Sequence, residues 1–310
     1  MINLKPINQT QLYGLEKYFC ELVRLYKKDI FPNKILLSGQ KGIGKSTLAF
    51  HFINFVLTIN ENYSYDIENF LIDIKSSEFK TVQNKSNTNL LTIEVNTDKK
   101  NIDINQIRDL ITNLNKSSFN NKPRFVLIDN IELLNKSSIN ALLKILEEPN
   151  DNTYFILIHN NKKILPTLLS RCINFKINLS NKDSLKVINF LMKDDIENLV
   201  NKDLINYYFT PGEIYCLIQF AFENKIDLKD INLKIFLKNL IEEGHYKKGN
   251  FINEFLYSYI EFYFRKLSPT FSKLVNEKYS YFVKRISDTK IYNLDKETLF
   301  IEFNEEILNG

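Results

Sequence analysis

The chain has 310 residues, of which 44% are hydrophobic and 25% charged, and its formal net charge is +4. This length and apolar content predict a globular protein of about two domains. No run of about 20 apolar residues and no apolar N-terminal leader is present, so we expect a cytoplasmic protein with no membrane span. The mild positive charge permits contact with nucleic acid but does not indicate it, because lysine and arginine form no dense cluster.

The first half of the chain alternates between strand and helix patterns. Short apolar runs predict buried strands at 34–38, 125–128 and 154–158, and the segment 89–95 is also strand-like. Apolar residues at helical spacing predict helices at 15–26, 48–56, 102–114 and 139–146. Strands that alternate with helices favour a parallel sheet covered by helices on both faces. The polar segment 61–88 is predicted to be an insertion or a long loop.

The second half, after Ser180, is predicted to be helical throughout. Helical spacing occurs at 184–192, 211–223, 233–241, 251–267 and 271–286. We therefore predict an α/β domain at 1–178 and two helical regions at 179–224 and 225–310, divided by a break near 224–233. The aromatic stretch 251–259 fits either a helix core or a subunit interface.

A glycine-rich loop, Gly39–Ser46, follows the first predicted strand and precedes a helix, and it matches the pattern GxxxxGK[ST]. Its glycines let backbone N–H groups turn towards phosphate oxygens, and the helix N-terminus favours an anion. Lys45 is expected to reach the β- and γ-phosphates, and the Ser46 hydroxyl to ligate Mg²⁺. The alternative is a glycine-rich turn that binds nothing. The residues predicted to bind a nucleotide here are Gly39, Gly42, Gly44, Lys45, Ser46 and Thr47, although Thr47 could be simply a helix residue.

Asp129 ends the apolar strand 125–128, so it is expected at the carboxyl edge of the sheet, where it can hold Mg²⁺ together with Ser46. A hydrolysing enzyme also needs a carboxylate that orients and deprotonates the attacking water. The next residue is Asn130, whose amide cannot accept a proton. Glu132 is expected to point elsewhere if the segment continues as a strand or a turn, so the sequence argues against efficient hydrolysis.

Two further motifs make the chain similar to a known family. The segment 140–149 reads Asn-Ala-Leu-Leu-Lys-Ile-Leu-Glu-Glu-Pro, and Ser170-Arg171-Cys172 follows it. Over roughly residues 10–180 the sequence resembles AAA+ clamp-loader subunits, and most of all the delta-prime family of bacterial DNA polymerase III. The resemblance implies an α/β P-loop AAA+ domain, a small helical lid at 179–224 and a C-terminal helical collar at 225–310. It also implies a hetero-pentameric ring with gamma/tau and delta subunits that loads the sliding clamp on primed DNA.

The resemblance also implies roles for single residues. Arg171 would act in trans on the ATP of the neighbouring subunit, where a planar cation stabilises developing phosphoryl charge. Asn160 would be the polar sensor of the γ-phosphate, although Asn161 could be that residue instead. The lid position that carries an arginine in active relatives has Glu213 here, which would repel phosphate. Cys172 is expected to be a packing residue.

Many relatives carry a four-cysteine zinc module. Cys20, Cys172 and Cys216 are scattered and show no CxxC spacing, so we expect neither a zinc site nor a disulfide. The leading hypothesis is a stator subunit of the DNA polymerase complex that binds ATP and Mg²⁺ weakly and has little or no ATPase activity of its own. The alternatives are an active clamp-loader motor of the gamma/tau type and, ranked lowest, a P-loop nucleotide kinase.

Overall fold

The computed structural model describes residues 5–96, 99, 101–116, 120–161, 164–205, 209–248, 250–267 and 273–309. The chain forms two compact units: one comprises 1–191 with 210–215, and the other comprises 192–209 with 216–310. The predicted division into a lid at 179–224 and a collar at 225–310 stays a prediction. Within the described residues, none of the helices combines the length and apolar character needed to cross a membrane.

A five-stranded parallel sheet forms the centre of the first unit, as predicted. Its strands are β1 (Lys34–Ser38), β2 (Leu90–Ile93), β3 (Arg124–Ile128), β4 (Thr153–His159) and β5 (Ile173–Lys176). They lie in the order β2-β3-β4-β1-β5, and every neighbouring pair is parallel. The carboxyl ends of β3, β4 and β1 therefore meet at one edge, which brings the residues that follow them together. The sequence did not predict β5, because this edge strand is mostly exposed and has no apolar run.

Helices cover both faces of this sheet. They are α1 (Glu16–Lys27), α2 (Lys45–Leu57), α3 (Ser77–Gln83), α4 (Ile104–Leu114), α5 (Lys136–Glu147), α6 (Pro166–Leu169) and α7 (Asn181–Met192). Successive strand residues point to opposite faces, so Ile35 and Leu37 join the core beneath α1 and α2, whereas Leu36 joins the core beneath α4 and α5. All four helices predicted in this half are present, and α4 has the capping box of Asp103 and Gln106 at its start.

The segment 61–88 is predicted to be an insertion or a long loop, and its buried apolar side chains pack on the sheet domain. It contains α3, and four apolar side chains of the segment are buried in the same core as α2: Tyr65, Ile72, Phe79 and Val82. The Lys122 ammonium fixes it from outside, donating to Glu61 at 2.6 Å, Glu78 at 2.7 Å and the Leu57 carbonyl at 3.1 Å. The sequence pattern does not indicate this packing, because the buried residues are widely and irregularly spaced.

The described residues of the second unit contain helices and no strands, as expected. The helices are α8 (Ile196–Leu199), α9 (Pro211–Glu223), which begins in the first unit, α10 (Leu233–Glu242), α11 (Asn250–Leu267), α12 (Lys273–Tyr292) and α13 (Lys296–Phe303). The core is aromatic: Tyr259 is fully buried, and its hydroxyl donates to the Leu204 carbonyl at 2.8 Å. Phe255 and Tyr257 are also buried, which favours a core role for the described part of 251–259. Residues 271–272 lie outside the described residues.

Candidate nucleotide-binding site

The loop Gly39–Ser46 connects β1 to α2 at the carboxyl edge of the sheet. Gly42 and Gly44 have φ angles of +84° and +91°, a region that favours glycine, and Gly44 is the N-cap of α2. The Gly39 N–H donates to the His159 carbonyl of β4 at 3.2 Å, which fixes the start of the loop to the sheet. The predicted strand–loop–helix context of the motif is therefore present.

Lys45 is the cation of this loop, and it is only 3% exposed. Its ammonium donates to the carbonyls of Gly39 at 3.0 Å and Gln40 at 2.5 Å. Burial lowers the pKa of Lys45 to about 8, and the nearby carboxylates of Asp129 and Glu132 oppose that shift. The side chain is thus folded onto its own loop, and a bound phosphate would replace carbonyl oxygens as its partner.

Ser46 and Asp129 meet as the sequence predicted. The Ser46 hydroxyl donates to Oδ2 of Asp129 at 2.8 Å. Burial raises the pKa of Asp129, while the hydrogen bond from Ser46 lowers it. A hydroxyl and a carboxylate side by side are hard oxygen donors of the kind that Mg²⁺ prefers with phosphates as its other ligands, so these two residues fit the predicted metal. Thr47 follows in the first turn of α2 and is partly buried.

No group of three or more His, Cys, Asp or Glu side chains in the described part of the chain is arranged to hold a metal ion on its own. The three cysteines are free thiols. Cys172 packs against the core beneath α4 and α5, and burial raises the pKa of its thiol to about 11, in keeping with the packing role expected for it.

The prediction that Glu132 points away from the site was wrong. Asn130 has a φ of +58°, in the left-handed region, and Ile131–Leu133 then form one turn of 3₁₀ helix. This turn reverses the chain and brings the Glu132 carboxylate to the end of β4. There the Asn160 side-chain amide donates to Asn130 Oδ1 at 2.7 Å and to Glu132 Oε1 at 2.9 Å.

The backbone N–H of Asn160 donates weakly to the other Glu132 oxygen at 3.4 Å. Asn160, rather than Asn161, is therefore the residue that joins this cluster. One sequence signal pointed to the turn: asparagine tolerates the left-handed conformation better than most residues, and Asn130 lies two residues after the end of a buried strand.

The start of α9 lies against the glycine-rich loop within the first unit. The Gly212 N–H donates to the Gly42 carbonyl at 3.0 Å, and a Cβ at residue 212 would come within 2.8 Å of the Gly42 Cα. Glu213 caps the helix start: its carboxylate accepts from the Thr210 N–H at 3.0 Å and the Thr210 hydroxyl at 3.2 Å. The Glu213 N–H donates in return to the Thr210 hydroxyl at 3.4 Å. This reciprocal cap gives Glu213 a structural role that the sequence interpretation missed.

Arg171 lies at the amino ends of the strands, whereas the glycine-rich loop lies at their carboxyl ends. It precedes β5, whose first residue pairs with Ile35 near the start of β1, whereas the loop follows the end of β1. Its guanidinium donates to the Thr167 carbonyl at 2.9 Å and to Glu147 at 2.6 Å. The structure thus brings the predicted phosphate-binding residues together and leaves Arg171 apart from them.

Known proteins are similar to this chain over the region that contains the glycine-rich loop and Arg171. A family model described as DNA polymerase III, delta subunit, matches residues 14–181, just over half of the chain. The chain is 28% identical over 190 residues to the DNA polymerase III subunit delta' of Buchnera aphidicola subsp. Schizaphis graminum. It is 30% identical over 172 residues to the gamma/tau subunit of Mycoplasma genitalium.

These alignments cover 60% and 55% of this chain, but only 56% and 27% of the two relatives. Among solved structures, a DNA polymerase III gamma subunit-related protein of Thermotoga maritima aligns over 93% of this chain and 96% of its own, with 16% identity and a TM-score of 0.42. On the family match, the chain belongs to the DNA polymerase III delta subunit family.

Proposed function

We propose that this chain is a clamp-loader subunit that acts as a stator. It binds ATP and Mg²⁺ weakly or without efficient hydrolysis, and it supplies Arg171 to the ATP of a neighbouring subunit. Its partners are gamma/tau and delta subunits in a hetero-pentameric cytoplasmic ring that loads the sliding clamp on primed DNA. Family membership and the similarity to delta' and gamma/tau subunits support this assignment.

The position of Arg171 is the observation that carries the proposal. The nucleotide loop follows β1, and Arg171 precedes the parallel strand β5, so the two lie at opposite edges of one sheet. A guanidinium in that position cannot serve the chain's own nucleotide, but it can reach a nucleotide on an adjacent molecule. Three apolar side chains next to it in the chain are exposed, as expected where a partner covers the surface: Leu165, Leu169 and Ile173.

The chain's own site supports the weak-hydrolysis part of the proposal. The residue after Asp129 is an asparagine, and its amide oxygen accepts a hydrogen bond from Asn160 instead of holding a water as a base would. Lys45 is bonded to loop carbonyls and has a lowered pKa, so part of the binding energy of a phosphate is spent on replacing those contacts.

Reconstitution of the ring tests the role of Arg171. We expect Arg171→Ala to lower the ATPase activity stimulated by clamp and primed DNA by about 1000-fold at the neighbouring site, the lower end of the effect of arginine fingers. The matched control is Arg108→Ala, which removes an exposed arginine from α4. Unchanged stimulated activity in an assembled Arg171→Ala ring contradicts the trans role.

A second candidate, an active motor of the gamma/tau type, is favoured by one observation. The Glu132 carboxylate, which can accept a proton, contacts Asn160 at the edge of the site that also holds Lys45, Ser46 and Asp129. Phosphate release by the isolated chain separates the candidates. Steady turnover that disappears in Lys45→Ala supports the motor and contradicts the stator.

A further inference from the structure

We propose that the nucleotide site of this chain prefers a nucleoside diphosphate over a triphosphate, because Glu132 occupies the donors of Asn160, the residue that the family resemblance implies as the sensor of the γ-phosphate. This inference rests on the proposed nucleotide binding and names the ligand class of that site. Glu132 is thereby a specificity-determining residue. It acts on the ligand through Asn160, whose side chain it holds.

The donors of Asn160 are fully used. A side-chain amide has two N–H groups, and those of Asn160 point to Asn130 Oδ1 at 2.7 Å and Glu132 Oε1 at 2.9 Å. The backbone N–H of the same residue points to Glu132 Oε2 at 3.4 Å. A γ-phosphate that approaches the end of β4 must therefore break a charge-assisted hydrogen bond before it gains one, whereas donors bonded only to water would impose a smaller cost.

The charges around Asn160 add to this effect. Glu132 lies close enough to Lys45 and Asp129 to influence the pKa of both side chains, so two carboxylates and one ammonium share the site. The Lys45 ammonium is already bonded to carbonyls of its own loop. A γ-phosphate thus places additional negative charge next to Glu132 and Asp129, and like charges at such distances repel.

A β-phosphate meets neither obstacle. It is bound by the backbone N–H groups of the loop 39–46 and by the N-terminus of α2, and these groups do not involve Asn160 or Glu132. The turn at Asn130 also ties Glu132 to β3, and the described hydrogen bonds give its carboxylate a fixed position. The cost that Glu132 imposes through Asn160 therefore falls on the third phosphate.

Calorimetric titration of the full chain with MgADP and with the magnesium complex of a non-hydrolysable ATP analogue tests the inference. We expect the wild-type chain to bind the diphosphate about tenfold more tightly, as one lost charge-assisted hydrogen bond implies. Glu132→Gln removes the charge, and Glu132→Ala also frees a donor of Asn160. We expect both to reduce the preference, mainly through tighter binding of the triphosphate.

Two controls make the outcomes distinct. Glu21→Gln, an exposed glutamate of α1, should leave the preference unchanged, and Lys45→Ala should weaken both nucleotides. Equal or tighter wild-type binding of the triphosphate overturns the inference and leaves the stator proposal intact. So does a preference that persists in both Glu132 variants once their folding is verified by circular dichroism. If the wild-type chain binds neither nucleotide, nucleotide binding and this inference both fail, but the role of Arg171 does not.

Discussion

The guanidinium of Arg171 donates to the carboxylate of Glu147 at 2.6 Å, which joins the end of α5 to the segment that precedes β5. Both side chains are partly exposed, with 32% and 54% of their surface accessible. The arginine that we propose to act on a neighbouring nucleotide is therefore already paired with a carboxylate of its own chain, that of Glu147. The phosphate of that nucleotide would compete with Glu147 for this guanidinium.

We expect Glu147→Gln to raise the stimulated ATPase activity of the reconstituted ring. A partly exposed ion pair contributes at most about 1 kcal/mol, so the increase should be no more than about fivefold. Glu148→Gln, the adjacent exposed residue, is the control. A fall in activity similar to that of Arg171→Ala would mean that Glu147 positions the arginine and does not restrain it.

Nucleotide binding should weaken above pH 8. Burial lowers the pKa of Lys45 to about 8, so the ammonium that binds phosphate is lost as the pH rises through that value. Where the lysine is largely neutral, affinity should fall by about tenfold per pH unit, because binding then takes up a proton. Titrations between pH 7 and 9.5 measure this slope. Lys45→Arg keeps its charge throughout, so any slope that remains in this variant must come from another group.

The lowered pKa of Lys45 has the opposite effect on stability: nucleotide affinity falls as the pH rises, whereas the free energy of unfolding increases. Between the folded pKa of about 8 and the unfolded value of 10.5, the unfolded chain binds more protons than the folded chain. The contribution of Lys45 to the free energy of unfolding therefore rises with pH in that window. Urea unfolding of wild type and Lys45→Met measures this contribution. Because the variant lacks the titrating group, the difference between the two free energies of unfolding should narrow from pH 8 to 10.

Substitution of Gly212 should disturb the contact of α9 with the nucleotide loop. The new Cβ of Gly212→Ala would lie 2.8 Å from the Gly42 Cα, and backbone cannot move aside as a flexible side chain can. We expect a loss of about 1–3 kcal/mol in unfolding free energy together with weaker nucleotide binding. Gly244→Ala has a positive φ but meets nothing closer than 3.9 Å, so about 1 kcal/mol without a binding effect is expected there. Equal effects of the two substitutions would argue against the loop contact.

Removal of the Lys122 ammonium should loosen the segment 61–88. Lys122→Met leaves the carboxylates of Glu61 and Glu78 without their shared cation, and we expect a loss of about 1–2 kcal/mol and faster proteolysis within the segment. Lys85→Met, which breaks a more exposed pair with Glu94, should cost less than about 1 kcal/mol. Similar protease resistance in wild type and Lys122→Met would show that the buried apolar residues alone hold the segment.

Local pattern was enough to predict much of the fold and of the site. Apolar runs located β1, β3 and β4, and their parallel arrangement brings Ser46 to Asp129 because both follow the carboxyl edge of the sheet. The edge strand β5 and the helices α3, α6, α8 and α13 were not predicted. The burial of α13 depends on contacts between helices, and the exposed face of β5 leaves no apolar signature.

The position of the Glu132 carboxylate could not be predicted from the sequence alone. A single residue, Asn130, adopts a left-handed conformation, and that one φ angle decides whether the carboxylate two residues later faces Asn160 or solvent. Glu213 shows the same limit: its identity suggested repulsion of phosphate, whereas its hydrogen bonds to Thr210 make it a helix cap. Both outcomes depend on backbone geometry that residue type alone does not specify.

The placement of the nucleotide loop and Arg171 at opposite edges of one sheet also gives the domain a direction. If each edge is completed by a different neighbour, two copies related by a two-fold axis cannot satisfy both edges through one shared contact. Subunits of this kind must associate head to tail, so that one contributes its arginine edge and the next its nucleotide edge. If Arg171 acts in trans and the chain's own site hydrolyses ATP poorly, as we propose, this chain is suited to one end of such a series.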